Sequence, residues 1–183
     1  MAQAKKRKKF FDVEMPLIKK ETQLYGYDLK EINGRTIVYD LTRILRGKNA
    51  LLKLKVKVEG DKATSYPLEL KILPCFIRRM IRGGSNYVED SFSTECENAF
   101  LRIKPFLITR KKVSRAVRKA LREKAKEELT EYSKTKDTET IFIDILNNKI
   151  QKSLSLKLKK IYPLSLCEIK VLSIEKFKEK ISQ

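Results

Sequence analysis

The sequence contains no histidine and only three cysteines among its 183 residues. Without histidine, Ser-His-Asp and Cys-His catalytic pairs are excluded, as are most zinc and iron sites. Cys75, Cys96 and Cys167 are far apart and include no Cys-x-x-Cys pair, so neither a disulfide framework nor a zinc site is expected. We therefore predict that the protein resides in a reducing compartment and that each cysteine is a small, buried apolar residue.

Long apolar runs are also missing. The longest ones, around Phe106-Leu107-Ile108 and Ile141-Phe142-Ile143, have the size of core segments, whereas a membrane-spanning helix needs roughly 18 apolar residues. The basic start of the chain is followed by Phe10-Phe11-Asp12 and not by the apolar segment of a signal peptide. These absences predict a cytoplasmic protein with no membrane-spanning segment.

Among the charged residues, basic residues outnumber acidic ones. Lys and Arg total 42 against 23 Asp and Glu, which gives a net charge of +19. A folded chain with this excess repels itself and is stabilised by a polyanion. Nucleic acid is the first candidate and an anionic membrane surface the second. The length predicts one domain with a hydrophobic core at residues 10–174, between a basic tail at 1–9 and a charged tail at 175–183.

Alternating apolar and polar residues indicate strands in the first half of the chain. Leu52–Glu59 and Tyr66–Ile72 alternate and are separated by Gly60-Asp61, which predicts a hairpin. Strands are also predicted at Leu24–Ile32 and Thr36–Tyr39, on either side of the turn signal Asn33-Gly34. One helical turn is predicted at Asp40–Arg46, ended by Gly47, and a helix at Cys75–Arg82, opened by Pro74 and ended by Gly83-Gly84. Two more strands are predicted near Tyr87–Thr94 and Ala99–Thr109, with Pro105 at an edge or a bulge.

Helical periodicity follows. An apolar stripe that includes Ala116 predicts a long helix at Lys112–Ser133, and Thr138 can cap a second helix. Residues 152–160 fit a strand or a helix, and their length favours a helix. Alternation around Cys167–Val171 predicts a last strand, and the charged segment from Ile174 could be helical. This order predicts an α+β fold, a mostly antiparallel β-sheet or open β-barrel with two to three helices packed on one side.

The stretch from Asn98 to Arg122 contains nine cations and no acid. The long helix therefore has cations in its first half and Glu123, Glu127, Glu128 and Glu131 in its second, which is the reverse of what the helix dipole favours. A solvated charged face is the ordinary interpretation of such a run. The inverted polarity instead favours RNA phosphates at the helix start, and the residues predicted to bind them are Arg110, Lys111, Lys112, Arg115, Arg118, Lys119 and Arg122.

Three further basic patches are candidates for RNA contact. The first is the tail with Lys5, Lys6, Arg7, Lys8 and Lys9, which no core can hold and which could otherwise serve solubility or localisation. The second is Arg78, Arg79 and Arg82 before Gly83-Gly84, where the alternative is a helix C-terminus with favourable cations and a glycine cap. The third is Arg43, Arg46 and Lys48 around Gly47, where both interpretations are equally supported.

Other chemistry has little support in the sequence. Phe10, Phe11, Tyr25, Tyr27, Tyr39 and Phe92 are scattered, so no base-stacking platform is predicted, and phosphate and shape recognition of RNA fits better. Asp12 and Glu14 share a strand face and could hold Mg²⁺ in a nuclease, although such pairs are common on solvated strands. We predict no catalytic residue, no metal and no cofactor.

The segment Leu158-Lys159-Lys160-Ile161-Tyr162-Pro163-Leu164 resembles the KKIYPL motif near the C-terminus of the archaeal and eukaryotic S-one-e family (older name S-three-A-e) of small-subunit ribosomal proteins. The Phe76–Arg82 segment, the Leu101-Arg102-Ile103 strand and the basic helix follow in family order. The resemblance covers roughly residues 5–172. It implies a β-barrel-like fold on the platform of the small subunit, near the 3′ end of the small rRNA and the mRNA exit, with neighbouring ribosomal proteins as partners.

These observations predict a structural constituent of the small ribosomal subunit that binds rRNA through Lys and Arg. Its expected partners are small-subunit rRNA, neighbouring ribosomal proteins and mRNA near the exit, and its expected location is the cytoplasmic ribosome. The alternative is a free-standing RNA-binding or RNA-chaperone protein. A Mg²⁺-dependent nuclease built on Asp12 and Glu14 is the third hypothesis.

Overall fold

A computed structural model describes residues 7–178, which contain nine strands and five helices. The chain divides into two compact units. The N-terminal unit comprises Met1–Tyr39 and Leu52–Leu68, and the C-terminal unit comprises Asp40–Leu51 and Glu69–Gln183. Two long strands, Ala50–Glu59 and Lys62–Ile72, each begin in one unit and end in the other. That residues 10–174 form one domain stays a prediction.

The N-terminal unit is built on two hairpins. Strands β1 (Lys9–Met15) and β2 (Lys20–Gly26) pair antiparallel, and β1 also pairs parallel with β5 at Val13 and Ala63. The predicted hairpin of β4 (Ala50–Glu59) and β5 (Lys62–Ile72) is confirmed, with Gly60 in its turn at a φ of 62°. Leu52, Leu54 and Val56 are buried because strict alternation places them on one face of β4. Strand β3 (Thr36–Asp40) pairs with β4.

The predicted strand at Leu24–Ile32 is wrong in its second half. Strand β2 ends at Gly26, and Leu29–Ile32 is a short helix, α1. The Glu31 carboxylate accepts a hydrogen bond from the Tyr27 backbone N–H at 2.9 Å, which closes a local turn instead of a ladder. Ile32 is fully buried and contacts the place where a Cβ of Gly26 would lie, so this glycine permits the close packing. The turn at Asn33-Gly34 is confirmed, with Gly34 at a φ of 77°.

The C-terminal unit contains an antiparallel sheet centred on two long strands. Strand β8 (Ala99–Thr109) pairs with β9 (Leu164–Phe177) along its whole length and, on its other edge, with β6 (Tyr87–Glu89) and β7 (Phe92–Glu95). The end of β5 pairs with β9 at Glu69–Lys71. Pro105 lies in an interior strand, not at an edge, and the register shifts between Lys104 and Pro105 as the predicted bulge requires.

Four helices complete this unit: α2 (Pro74–Met80), α3 (Arg115–Lys134), α4 (Thr138–Leu146) and α5 (Lys149–Leu158). Helix α3 packs on β6, β7 and α5, and α5 packs on α4 and β9. The layer between helices and sheet is apolar, because Leu121, Ala125, Leu129, Phe142, Leu154 and Leu158 are buried. The predicted α+β class, with a mostly antiparallel sheet and packed helices, is confirmed.

Several predicted boundaries in this unit need correction. Helix α3 begins at Arg115 and not at Lys112, and α2 ends two residues before Arg82. Ala116 is exposed because it lies at the solvated start of α3. The segment from Ile174 is strand up to Phe177, not helix, because β8 offers it a partner. Asp40–Arg46 forms consecutive turns with a single i→i+4 hydrogen bond, from Leu45 N to Leu41 O at 2.8 Å.

Two of the three cysteines are placed as predicted. Cys96 and Cys167 are buried, whereas Cys75 is exposed in the first turn of α2. In α2 it is the next two residues, Phe76 and Ile77, that are buried. Among residues 7–178, none of the helices is long and apolar enough to cross a membrane.

Candidate nucleic-acid interface

The seven cations predicted at the start of the long helix lie together in the C-terminal unit. Six of them are exposed, and Arg118 is half-buried. They lie on the five-residue linker between β8 and α3, residues 110–114, and on the first two turns of α3. The described residues therefore place one continuous run of positive charge at the N-terminal end of a 20-residue helix.

Hydrogen bonds from two side chains fix the path of this linker. The backbone N–H of Val113 donates to Asn86 Oδ1 at 2.9 Å. The hydroxyl of Thr109, which is fully buried, contacts the backbone of Asn86 and Lys111 at 3.0 and 2.7 Å. Ser114 then caps α3, since its hydroxyl accepts a hydrogen bond from the Val117 N–H at 3.4 Å. Asn86 and Thr109 were not predicted as site residues, because their role depends on the pairing of β6 with β8.

A groove of about 730 Å³ runs beside these turns of α3, and we call it the basic groove. Its floor and opposite wall come from β6 and from the segment before it. Four of its lining residues are the predicted cations Arg115, Arg118, Lys119 and Arg122. The other lining residues are Ile81, Ser85, Asn86, Tyr87, Val88 and Glu89. The structure thus brings the start of α3 next to the loop that carries Gly83-Gly84, although Arg78, Arg79 and Arg82 do not line the groove.

The arginines of the basic groove lack acidic partners among the described residues. Within residues 7–178, Arg115, Arg118 and Arg122 form no ion pair, and Lys119 reaches Glu123 only at 3.7 Å with both side chains exposed. Such an exposed pair contributes at most about 1 kcal/mol. The carboxylate of the groove, Glu89, is already paired with Lys170 at 3.1 Å. The groove therefore has a strong positive potential with little internal compensation.

One of these arginines also has an unsatisfied donor. Arg118 Nε is inaccessible to solvent and has no hydrogen-bond partner in the described part of the chain. Leaving a buried donor unpaired costs roughly 1–3 kcal/mol. The first turn of α3 contains no acid, so the helix N–H groups and the arginines all favour an anion at the same place. Chemically, this arrangement suits the binding of phosphate groups.

The second and third basic patches meet each other. Arg79 Nη2 donates hydrogen bonds to Asn49 Oδ1 at 2.7 Å and to Gly47 O at 3.2 Å, and its guanidinium lies 5.6 Å from the ring centre of Phe76. Arg79 therefore holds the turn around Gly47 in place. Arg43, Arg46, Arg78 and Arg82 are exposed, whereas Lys48 is largely buried and paired with Glu168 at 2.5 Å.

A second groove, of about 1070 Å³, joins these two patches. Arg46, Lys48 and Arg79 line it together with apolar side chains such as Phe76 and Leu156. Cys167 also lines it, and burial raises the pKa of this thiol to about 12, so the thiol stays neutral. The second groove is less uniformly basic than the first, because part of its positive charge is used inside the protein.

The N-terminal patch is only partly described. Lys5 and Lys6 lie outside the described residues, whereas Arg7, Lys8 and Lys9 are exposed where β1 begins. Lys8 Nζ lies 5.5 Å from the ring centre of Tyr25 and 5.1 Å from that of Tyr27. The expectation that the aromatic residues are scattered is wrong for three of them, since β1–β2 pairing places Phe10 opposite Tyr25, and Lys8 lies near the rings of both Tyr25 and Tyr27. Recognising this pairing across residues 16–19 would have revealed the cluster.

Asp12 and Glu14, the residues of the nuclease hypothesis, share one face of β1 as predicted. In the register of the hairpin Asp12 lies opposite Gln23, and Glu14 opposite Glu21. Among the described residues, no group of three or more His, Cys, Asp or Glu side chains could hold a metal ion.

An α+β protein with a strongly positive groove of unpaired arginines has the features of the nucleic-acid-binding class. Comparison with known families gives the finer assignment: the profile of the Ribosomal S3Ae family matches residues 2–177, and the chain belongs to this family of small-subunit ribosomal proteins. The predicted family resemblance is confirmed. Proteins of this class act in translation as parts of a ribonucleoprotein, and ribosomal protein families are generally non-enzymatic.

Several archaeal proteins are similar to this chain. The chain is 28% identical over 167 residues to small ribosomal subunit protein eS1 of Nanoarchaeum equitans, covering 86% of this chain and 84% of that protein. It is 25% identical over 150 residues to small ribosomal subunit protein eS1 of Halorubrum lacusprofundi, covering 79% and 70%. The eS1 protein of Haloarcula marismortui is 24% identical over 157 residues. These relatives support a structural role in the small ribosomal subunit.

Proposed function

We propose that this protein binds small-subunit rRNA through Lys and Arg contacts to backbone phosphates, with the basic groove as its principal contact. One observation carries the proposal: within residues 7–178, Arg115, Arg118 and Arg122 lie beside a helix N-terminus without any carboxylate partner. Folding alone does not favour this arrangement, because cations at a helix start are destabilised by the dipole. Phosphates of an RNA backbone remove the conflict.

The family resemblance supports our proposal for the position within the subunit. It is the platform, near the 3′ end of the small rRNA and the mRNA exit, where rRNA, neighbouring ribosomal proteins and mRNA near the exit are the partners. The arginines around the second groove, with Arg43, Arg46, Arg78 and Arg82 exposed, give a further surface for rRNA or for a neighbouring protein. The role is structural and involves no catalysis.

The test is the salt dependence of binding between the full chain and a small-subunit rRNA transcript. Each neutralised phosphate contributes roughly −0.7 to the slope of log affinity against log salt. The triple variant R115Q/R118Q/R122Q should therefore bind more weakly at low salt, with a slope shallower by roughly 2. The matched control K124Q/K126Q/K134Q removes the same charge from the second half of α3 and should keep most of the slope. Equal slopes in the two triple variants would contradict the proposal.

Sucrose-gradient sedimentation separates this role from that of a free-standing RNA-binding or chaperone protein. A structural constituent remains in small subunits at one copy each after a high-salt wash. Recovery of the wild-type chain only in the soluble fraction would instead support the free-standing protein, since counterion competition removes loosely held proteins from RNA.

A further inference from the structure

Three aromatic side chains form an exposed cluster at one end of the β1–β2 hairpin. Phe10, Tyr25 and Tyr27, which we call the aromatic cluster, are 68%, 51% and 42% exposed. Phe10 and Tyr25 are cross-strand partners, with ring centres 5.0 Å apart and planes tilted by 43°. Large aromatic side chains are ordinarily among the better buried residues of a domain. A group of three left open to solvent therefore requires an explanation.

The backbone under the cluster is held rigidly. Arg35 Nη1 donates a hydrogen bond to the backbone carbonyl of Tyr25 at 2.9 Å, and Arg35 Nη2 pairs with Glu31 at 2.7 Å. The other Glu31 oxygen accepts the Tyr27 N–H at 2.9 Å. One arginine and one glutamate thus fix the main chain on which both tyrosines stand. A preorganised surface loses less conformational entropy when a ligand binds to it.

The charged residues are unevenly distributed along the β1–β2 hairpin. Lys8 Nζ lies within 5.5 Å of the ring centres of both tyrosines, and the exposed Arg7 and Lys9 adjoin it. The carboxylates on the same face of the hairpin, Asp12 and the opposed pair Glu14 and Glu21, follow towards the turn. An anionic ligand is therefore favoured at the aromatic end, whereas near the turn the exposed Lys19 and Lys20 offset the carboxylates. This pattern suits a ligand that combines flat rings with phosphate groups.

We propose that the aromatic cluster is a stacking site for unpaired bases of rRNA, with Lys8 contacting the adjacent phosphates. Base faces stack on aromatic side chains irrespective of sequence, and basic side chains follow the RNA backbone. Duplex RNA keeps its bases stacked internally and offers only phosphates and sugars to a protein. The cluster therefore adds selectivity for single strands to the phosphate binding already proposed. Only the identity of the RNA rests on the proposed rRNA-binding function.

The test compares two labelled RNAs, an unstructured oligouridine and a fully paired duplex, in binding to the full chain. The double variant F10L/Y25L should lose roughly tenfold or more in affinity for oligouridine, with duplex affinity unchanged within twofold. The matched control is Y39L, because Tyr39 also has a lysine over its ring, Lys20 at 5.6 Å, but lies outside the cluster. If F10L/Y25L does not fold by circular dichroism, the single variant Y27L replaces it.

Each outcome decides between explanations. An unchanged oligouridine affinity with a lower melting temperature would mean that Phe10 and Tyr25 only stabilise the hairpin, and it overturns the proposal. Equal losses for oligouridine and duplex overturn it as well. The triple variant R115Q/R118Q/R122Q should lose duplex affinity but keep the preference for oligouridine, so the two proposals fail separately. In assembled subunits, an ultraviolet crosslink from Tyr25 should map to an rRNA nucleotide, and a crosslink to mRNA or to protein contradicts the assignment.

Discussion

The first half of α3 is rich in arginine and the second half in glutamate, and their charged side chains have different surroundings. In the second half, Glu128 pairs with Lys157 and Lys124, and Lys124 also reaches Glu127 at 3.2 Å. Near the end of the helix, Tyr132 donates a hydrogen bond to Asp144 of α4 at 2.5 Å. The arginines of the first half have no such partners among the described residues.

We interpret this difference in pairing as a difference in role: paired charges stabilise the fold, and unpaired charges bind a partner. Asp144 is almost fully buried, and it accepts hydrogen bonds from Tyr132 and from Lys136, the latter at 2.7 Å, while Lys149 lies 3.4 Å away. A buried carboxylate is stable only with such partners. The arginines of the basic groove are exposed or half-buried, so water reaches most of their polar atoms, although Arg118 Nε is shielded from it. We infer that internal pairing is the criterion for finding interface charges in a chain this basic.

The largest effect should come from the buried carboxylate. Asp144→Ala leaves Lys136 and the Tyr132 hydroxyl without their acceptor. Breaking a buried ion pair costs about 3–5 kcal/mol, and because Lys136 is a third exposed, we expect about 2–3 kcal/mol. Urea unfolding measures the loss, and RNA affinity of the folded variant should not change. Glu123→Gln, which removes an exposed pair on the same helix, is the control and should cost less than about 0.5 kcal/mol.

A smaller effect should appear on acidification. Burial by itself raises the pKa of Asp144, but hydrogen bonds from Lys136 and Tyr132 outweigh it, so the pKa lies below its ordinary value. Between the folded and unfolded pKa the unfolded chain binds more protons, so stability falls as pH drops through that window, below about pH 4. The urea midpoint of the wild type should therefore decline more steeply there than that of Asp144→Asn. Parallel declines would show that Asp144 does not couple folding to pH.

Strict periodicity explains which parts of the fold were predictable. The β4–β5 hairpin and the helices α3 and α4 have apolar residues at the spacing of one buried face, and Gly60 and Ser114 mark the hairpin turn and the start of α3. Thr138, predicted as a cap, is instead the first residue of α4 and follows the N-cap Asp137. The strand at Phe177 was missed because it pairs with β8, more than 70 residues earlier in the chain. Likewise, Leu29–Ile32 was predicted as strand, but it forms a short helix in which the Glu31 carboxylate accepts the Tyr27 N–H.

The basic residues of the candidate site could be predicted from the sequence, but the residues that shape its surroundings could not. The inverted polarity of α3 identified Arg115, Arg118 and Arg122 from sequence alone, because the helix dipole makes that order unfavourable. The roles of Asn86 and Thr109 depend on contacts over 23 residues or more, which no local pattern encodes. The same limit concealed the aromatic cluster, since Phe10 and Tyr25 become neighbours only through the hairpin register.

The smallest effect concerns the unsatisfied donor in the basic groove. Arg118→Met removes the buried Nε and keeps the apolar stem of the side chain, so stability should stay constant or rise by up to about 1 kcal/mol. Affinity for rRNA should nevertheless fall, because one phosphate contact is lost and the salt slope becomes shallower by roughly 0.7. Urea unfolding and the salt titration of RNA binding measure the two changes.

Arg110→Met, at an exposed position on the linker, is the matched control: it lowers affinity without the gain in stability. A loss of stability in Arg118→Met would mean that this arginine serves the fold, and the contrast between the two halves of α3 would no longer hold.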